Sequence, residues 1–258
     1  MIGEKISVIT VSFNSEKTIE NTFKSILKQK YRPLEYVIVD GGSTDTTLQI
    51  INKYLPIFRA AKIEVNFKSE PDKGISDAFN KGIERASGDI IGIINSDDCI
   101  AADITSTIIN EFTEVDDVLC GDCLWVDVTD NSQHIRKSKM NLKKLKHEMV
   151  LMHPTCFVRK RTYEAYGLFD ISLKFCMDKD LMARFYRNGA KFKYIPIVIS
   201  IMSSGGTSDV NYKKVFDEGE IVALRNGVPH FYARIYKDYK IVRLKLIRFY
   251  KKLSKRDK

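Results

Sequence analysis

Between Ile90 and Ile100 the chain reads "IIGIINSDDCI". An apolar run fit for a protein interior stops at Asn95, and two adjacent carboxylates, Asp97 and Asp98, follow within three residues. Neighbouring acids repel each other and resist burial. Either they form a polar turn in water that caps the next helix, or a cation stands between them and a substrate. For an isolated pair of acids the turn is the commoner outcome. The segments that precede this strand decide the matter.

Three earlier stretches share its design. "KISVITVSF" is a β-branched run suited to a buried strand, and Ile19, Phe23, Ile26 and Leu27 then recur at helical spacing up to Arg32-Pro33. "LEYVIVD" is a second strand ending on Asp40. The Gly turn and helix of "GGSTDTTLQIINKY" follow, with Ser43 or Thr44 as the expected N-cap. "KIEVNF" is a third strand, and Ile75, Ala78, Phe79, Ile83 and Ala86 form one face of a helix. Strands and helices alternating at this spacing predict right-handed βαβ units and a parallel sheet. Ligands of such sheets bind beyond the carboxyl ends of the strands. Those ends hold Ser12, Phe13 and Asn14, then Asp40, then Glu70 to Gly74, then Asp97 and Asp98. Three of these four edges present acids, which asks for a cation. Adjacent carboxylates supply oxygen ligands to a hard divalent ion, and magnesium or manganese takes only one or two of them when phosphate oxygens complete the shell.

Beyond Cys99 the pattern is that of a mixed sheet. "VDDVLCGDCLWVDV", "SQHIRKS", "HPTCFVRK" and "KFKYIPIVISIM" read as strands, and "DKDLMARFYRNG" as a helix closed by Gly189. Residues 1–228 are read as one domain, with 1–99 the donor half and 100–228 the acceptor half. Residues 229–258 form a separate tail.

The quoted motifs now fall into an order. "VSFN", "VDGGSTD", "SEPDKGISDAFNKGI" and "NSDD" follow the four strands in turn. "HPTCFVRKRTYEAYGLFD", "FCMDKDLMAR" and "SSGGTSD" follow in the second half. Together they resemble the family 2 glycosyltransferases, inverting nucleotide-sugar-dependent enzymes of GT-A fold. The resemblance implies a Rossmann-like, mostly parallel central sheet flanked by helices. It implies a sugar, hexosyl or N-acetylhexosaminyl, moved from a nucleotide donor, with UDP expected. The acceptor would be a glycan or a lipid-linked molecule in cell-surface polysaccharide synthesis, and the cofactor Mn2+ or Mg2+.

The resemblance also assigns residues. Asp40 matches the acid that bonds the nucleotide base, with Ser12, Phe13 and Asn14 lining the base pocket. Asp97 matches the acid facing the ribose, and Asp98 the metal ligand. Asp178 matches the catalytic base. "SSGGTSD", with Ser204, Gly205, Gly206, Thr207 and Ser208, matches a segment that folds over the diphosphate. The chemistry suits these roles. A metal neutralises charge developing on a diphosphate leaving group, and a carboxylate on the opposite side takes the acceptor's proton. Asp178 also stands at a helix start, where capping alone would explain a carboxylate; Asp180 is the alternative base. Lys73 either contacts phosphate beside a helix N-terminus or pairs with Glu70 or Asp72. Glu70 either points toward the base pocket or orients a basic neighbour. His153 is structural or a further ligand near the metal. Trp125 is core or stacks on an acceptor sugar. The sequence departs from many relatives at Gly41, Phe79 and Met177, which bears on donor identity and phosphate contacts.

Other classes find less support. Five cysteines, an odd number, do not make a disulfide framework, and the C-x-x-C of Cys120 and Cys123 lacks the second ligand pair of a zinc site. No G-x-G-x-x-G follows the first strand, and no Gly-rich basic loop stands there to hold a triphosphate. A dinucleotide-binding dehydrogenase is therefore disfavoured. A sugar nucleotidyltransferase, or a non-catalytic membrane-surface adaptor, is the alternative.

Charge is unevenly spread. From His230 to Lys258 there are eleven Lys/Arg and two Asp/Glu, while the other 31 of each sign cancel. In the tail Ile235, Tyr239, Val242, Leu246, Phe249 and Leu253 recur at alternating steps of four and three. That is one apolar helical face amid basic residues. Such a helix either lies on an anionic membrane surface or packs its apolar stripe on the body. A neutral body without a recognisable nucleic-acid module argues against nucleic-acid binding. No apolar run approaches the roughly 20 residues of a membrane span, and no signal peptide is read. The expected location is cytoplasmic, with a peripheral position on the inner face of the plasma membrane.

Overall fold

The computed structural model describes residues 3–204 and 212–254, those after Ile247 in backbone only. Strands β1 (Ile6–Ser12), β2 (Leu34–Asp40), β3 (Glu64–Ser69) and β4 (Ile90–Ile93) are joined by helices α1 (Ile19–Leu27), α2 (Thr47–Ala60) and α3 (Ile75–Arg85). The four strands pair in parallel in the order β3-β2-β1-β4, so their carboxyl ends share one edge. The second half adds β5 (Cys99–Ile100), α4 (Ile104–Glu111), β6 (Val118–Val126) and β7 (Gln133–Arg136). Then come β8 (Phe157–Arg159), α5 (Lys160–Tyr166), α6 (Met177–Arg187), β9 (Phe192–Ser203), α7 (Tyr212–Arg225) and α8 (His230–Ser254). The sheet continues β4-β8-β6-β9-β5, with β7 also on β6. β8 is antiparallel to both neighbours, while β6 and β9 run parallel past a bulge between Cys120 and Cys123.

Strand alternation sorts the side chains into two cores. Ile9, Val11, Val37 and Val39 pack with Phe79 and Ile83 of α3 and Leu181, Met182 and Phe185 of α6. Ile6, Val8, Tyr36 and Ile38 pack on the other face with residues of α1, α2 and α4. The result is helix, sheet, helix: the layering of a GT-A fold. Cys120 and Cys123 are buried free thiols on β6, and all five cysteines are free.

Two expected boundaries move. α1 ends at Leu27, where the Lys28 N–H turns back to the Ser25 carbonyl (3.3 Å) and the Gln29 N–H to the Ile26 carbonyl (3.0 Å), well before Pro33. α2 starts at Thr47 rather than after Ser43 or Thr44. Asp45 Oδ1 accepts the Thr47 N–H (2.9 Å), whereas Ser43 is drawn to Asp40.

α8 meets the body through Ala233, Tyr236, Lys237 and Lys240. Lys237 pairs with Glu220 (2.6 Å) and Asp217 (3.1 Å) of α7. Tyr236 Oη and Lys240 Nζ both donate to Glu148 (2.8 and 2.7 Å). The apolar stripe named above is not on this face: Ile235, Tyr239, Val242 and Leu246 are all at least half exposed. Over these four residues the stripe does not pack on the body, because polar and ionic contacts on the opposite face anchor the helix; the side chains of Phe249 and Leu253 lie outside the described residues. Among the described residues no helix is long and apolar enough to cross a membrane.

Candidate active site

Register places Ser12, Asp40 and Ser69 in one row across the carboxyl edge of β1, β2 and β3. Asp40 is the centre of that row and is 0% exposed. Its Oδ1 accepts from Ser12 Oγ (3.0 Å) and Ser43 Oγ (2.5 Å). Its Oδ2 accepts from the Gly42 and Ser43 N–H groups (3.1 and 2.9 Å) and from Ser69 Oγ (2.7 Å). Five donors saturate a carboxylate, which has about four lone-pair sites. The expectation that Asp40 bonds a nucleotide base is corrected: it ties three strand-end loops together and has no free oxygen. Ser12 is likewise part of this frame. Asn14 supports it from the next turn, at φ +50. Its N–H donates to Ser43 Oγ (2.8 Å), and its Oδ1 accepts the Thr44 N–H (2.9 Å).

Phe13 points outward from this frame and is 62% exposed, a ring face open to a ligand. Beside it stands an acid that sequence reasoning passed over. A Cβ built on Gly41 would collide with Asp72 Oδ2 and touch the Phe13 ring. Asp72 thus occupies the space that a side chain at position 41 would fill. Its Oδ1 accepts the Gly74 N–H (2.8 Å), and no described residue donates to Oδ2. The signal that could have found it is Gly41 itself, a glycine directly after the strand-end acid Asp40, which leaves room there for another side chain.

Glu70 does not line this pocket. It pairs with Arg85 (3.5 Å) and Lys81 (3.9 Å) of α3, so it orients basic neighbours. Lys73 is exposed and forms no ion pair among the described residues, with neither Glu70 nor Asp72.

The turn after β4 separates its two acids. Asp97 is exposed, while Asp98 is only 3% exposed. Burial, and next the Asp97 charge, push the Asp98 carboxyl up to about 7. Asn95 Nδ2 donates to Asp98 Oδ2 (3.0 Å). Asn95 Oδ1 is buried and has no hydrogen-bond partner among the described residues. Thr22 Oγ1 on α1 donates to the Asp98 carbonyl (2.7 Å), and Ser15 and Ser96 share a hydrogen bond (2.8 Å), so the turn is held from below. A buried acid, an exposed acid and an orphaned amide oxygen form an all-oxygen donor set. It fits a hard divalent cation, which would relieve both the desolvation and the repulsion. Among the described residues there is no group of three or more His, Cys, Asp or Glu placed to hold a metal. A cation here would need oxygens from its substrate, which is the habit of magnesium and manganese.

Because β8 runs antiparallel to β4, the turn His153–Thr155 that leads into it lies beside the carboxyl end of β4. His153 packs between the rings of Phe79 (6.0 Å) and Phe169 (5.6 Å), and burial lowers its pKa. Its electrostatic partner is Asp178, not Asp98. The candidacy of His153 as a metal ligand is corrected accordingly: an aromatic wall holds it.

Asp178 lies in the first turn of α6, and burial raises its pKa against the opposing pull of His153 and nearby N–H groups. It is not the cap. Cys176 is the N-cap residue, and the Asp178 carboxylate accepts only its neighbour's N–H, that of Lys179 (2.7 Å), among hydrogen bonds from described residues. Capping is done from a distance. Glu218 of α7 accepts the N–H groups of Lys174 (2.9 Å), Phe175 (2.7 Å) and Cys176 (3.0 Å). Lys179, buried beside it, donates from Nζ to the Gly219 carbonyl (2.9 Å). Two contacts therefore bolt α6 to α7. Asn80 exchanges two hydrogen bonds with Phe169 (2.9 Å each), and Ser76 Oγ donates to the Leu173 carbonyl (2.8 Å), fixing the approach to α6 against α3. Asp180 faces elsewhere and pairs with Arg184 (3.4 Å).

Ser204 directly follows β9, and its N–H donates to the Val126 carbonyl (2.9 Å). Gly205, Gly206, Thr207 and Ser208 lie outside the described residues. Trp125 carries the Arg136 guanidinium 3.3 Å from its ring centroid, so that ring face is taken.

Comparison with known proteins agrees with the fold. The family profile "Glycosyl transferase family 2" matches residues 7–167. An uncharacterized glycosyltransferase of Mycobacterium tuberculosis is 39% identical over 94 residues, 36% of this chain and 34% of that protein. The match thus spans about a third of that relative's length. A PGL/p-HBAD biosynthesis glycosyltransferase of Mycobacterium bovis is 26% identical over 231 residues, 88% of each chain. Among solved structures, S. aureus TarS 1-349 in complex with UDP-GlcNAc is similar with a TM-score of 0.64 and 22% identity, over 90% of this chain and 70% of that one. The mannosyltransferase PcManGT from Pyrobaculum calidifontis, in complex with GDP-Man and Mn2+, gives 0.68 and 16%, over 92% and 70%.

Proposed function

This chain belongs to glycosyl transferase family 2, and on that premise we propose that it is an inverting, divalent-metal-dependent enzyme. It moves a hexose or N-acetylhexosamine from a UDP donor to a glycan or lipid-linked acceptor in cell-surface polysaccharide synthesis. One observation carries the reading. An all-oxygen donor set around Asp98 follows the carboxyl end of β4, and the His153 turn beside that end has the desolvated carboxylate of Asp178 as its charge partner.

The nucleotide end is read from Phe13 and Asp72. A base stacks on the open Phe13 ring, and Asp72 Oδ2 accepts its N–H. Uracil offers one N–H on that edge, flanked by carbonyls, whereas guanine offers two donor groups. Since Asp72 Oδ1 is already engaged by Gly74, the single open oxygen suits uracil. Lys73, free of ion pairs among the described residues, is placed to meet phosphate.

Asn95 Oδ1, Asp97 and Asp98 are the groups that would hold the cation. Bound there, Mn2+ or Mg2+ supplies neutralisation of the charge that develops on the leaving diphosphate. Asp178 takes the proton of the acceptor hydroxyl as that oxygen attacks the anomeric carbon. Attack from the side opposite the diphosphate inverts the centre. His153 and the N–H groups at the start of α6 hold the Asp178 charge in place while it waits.

The test is thermal. UDP should raise the melting midpoint when Mn2+ or Mg2+ is present and not otherwise, and Asp98→Ala should abolish the rise. Equal stabilisation by UDP without metal would remove the metal from this reading.

A further inference from the structure

We propose that the outer face of α8 docks on an anionic lipid surface. Ile235, Tyr239, Val242 and Leu246 are 50–57% exposed, and Phe231 and Tyr232 extend the same face. At 1.5 Å per residue this stripe runs about 22 Å. It lies opposite the face that Lys237, Tyr236 and Lys240 fix to the body, so the described residues leave it uncovered. Exposed apolar side chains in one continuous stripe mark a contact surface.

Charge identifies the occupant. Arg234, Arg243 and Lys245 flank the stripe and are exposed, and Asp238 is the only acid between His230 and Ile247. The segment on which the helix docks adds more: Lys137, Lys139, Lys143, Lys144 and Lys146 are all exposed just before His147 and Glu148. Two copies meeting through this stripe would bring like charges together, which opposes self-association. A bilayer rich in anionic headgroups meets both demands, taking the apolar face at its acyl boundary and the cations at its surface. The tyrosines suit that boundary, where amphipathic rings settle. The helix would lie in the plane of the bilayer.

The contacts of the opposite face also say which part of the body lies directly behind the docked helix. The ring of His147 packs against Tyr236 (5.3 Å between centroids), and Lys179 Nζ reaches the His147 carbonyl (3.5 Å) one residue from Asp178. The docked helix therefore brings the acceptor side of the site to the membrane, where a lipid-linked acceptor is found. That use rests on the transferase reading; the docking does not.

The experiment is flotation of the full chain with vesicles of phosphatidylcholine alone, or of phosphatidylcholine mixed with phosphatidylglycerol. The chain should float with the mixed vesicles only, and less at high salt. Ile235→Asp with Tyr239→Asp and Leu246→Asp should lower the bound fraction at least about tenfold. Arg243→Gln with Lys245→Gln, which leaves the stripe intact, should lower it about tenfold or more. Both variants should keep the parental melting midpoint and donor hydrolysis. No binding to mixed vesicles, or full binding by the triple variant, overturns the proposal. So does a dimer that the triple variant dissolves, which would give the stripe to a second copy. A chain that binds vesicles but turns over no nucleotide sugar would instead sink the transferase reading.

Discussion

At Asp178 stability and chemistry pull in opposite directions. Burial raises its pKa, so the charged form is held at a cost that His153 and the helix N–H groups only partly offset. Between the ordinary carboxylate range and its raised value, the native state binds more protons than the unfolded one. Stability is then lost as pH rises through that window, and the loss persists above it. Asp178→Asn carries no charge to desolvate. At neutral pH it should melt higher than the parent, with the advantage vanishing as pH falls below the usual carboxylate range. Its kcat should drop by about 10²–10⁴ with UDP binding kept; unimpaired transfer would remove Asp178 as base. Asp40 and Asp72 make a second contrast at this scale. Asp40→Asn replaces an acceptor with a donor facing donors, and should cost about 3 kcal/mol in denaturant unfolding. Asp72→Asn should leave stability nearly unchanged and weaken UDP binding by about tenfold. The reverse pattern in titrations and melts would return the base contact to Asp40. The strand-end acids were legible in the sequence as a set. Which acid is spent on the frame was not, because that depends on which neighbours fold over it.

The element that matters most for the acid end is α7. Its Glu218 stands 42 residues from Cys176, yet it accepts three consecutive N–H groups, those of Lys174, Phe175 and the N-cap Cys176, in the turn that leads into α6. A helix N-terminus leaves such donors unpaired unless something caps them. Here no side chain of α6 does so. Glu218→Ala should therefore lower stability by about 1–2 kcal/mol and loosen the turn that carries Asp178. kcat should fall while KM for the donor stays near its parental value. Glu218→Gln, which still accepts hydrogen bonds, should recover part of both. A loss confined to stability, with kcat untouched, would make Glu218 merely structural. Local periodicity found α6 and its closing Gly189, whose φ is +90. It could not find the clamp, because no local pattern encodes a partner from a later helix.

Across the whole molecule, the parallel half and the mixed half share one sheet and two cores, and the site lies where their edges meet. The sequence by itself determined the strand-helix alternation, the gathering of acids at the carboxyl ends of the strands, and the amphipathic, basic character of residues 230–247. Each of these follows from periods of two or 3.6 and from local charge, which neighbours along the chain suffice to set. The tertiary structure alone decided that Asp40 is saturated, that Asp72 fills the space beside Gly41, and that His153 belongs to Asp178 within an aromatic wall. It also decided that α8 turns its apolar stripe outward. These are questions of which side chain wins a contested partner. The answer depends on groups brought together from opposite ends of the chain, and no spacing within one segment carries it.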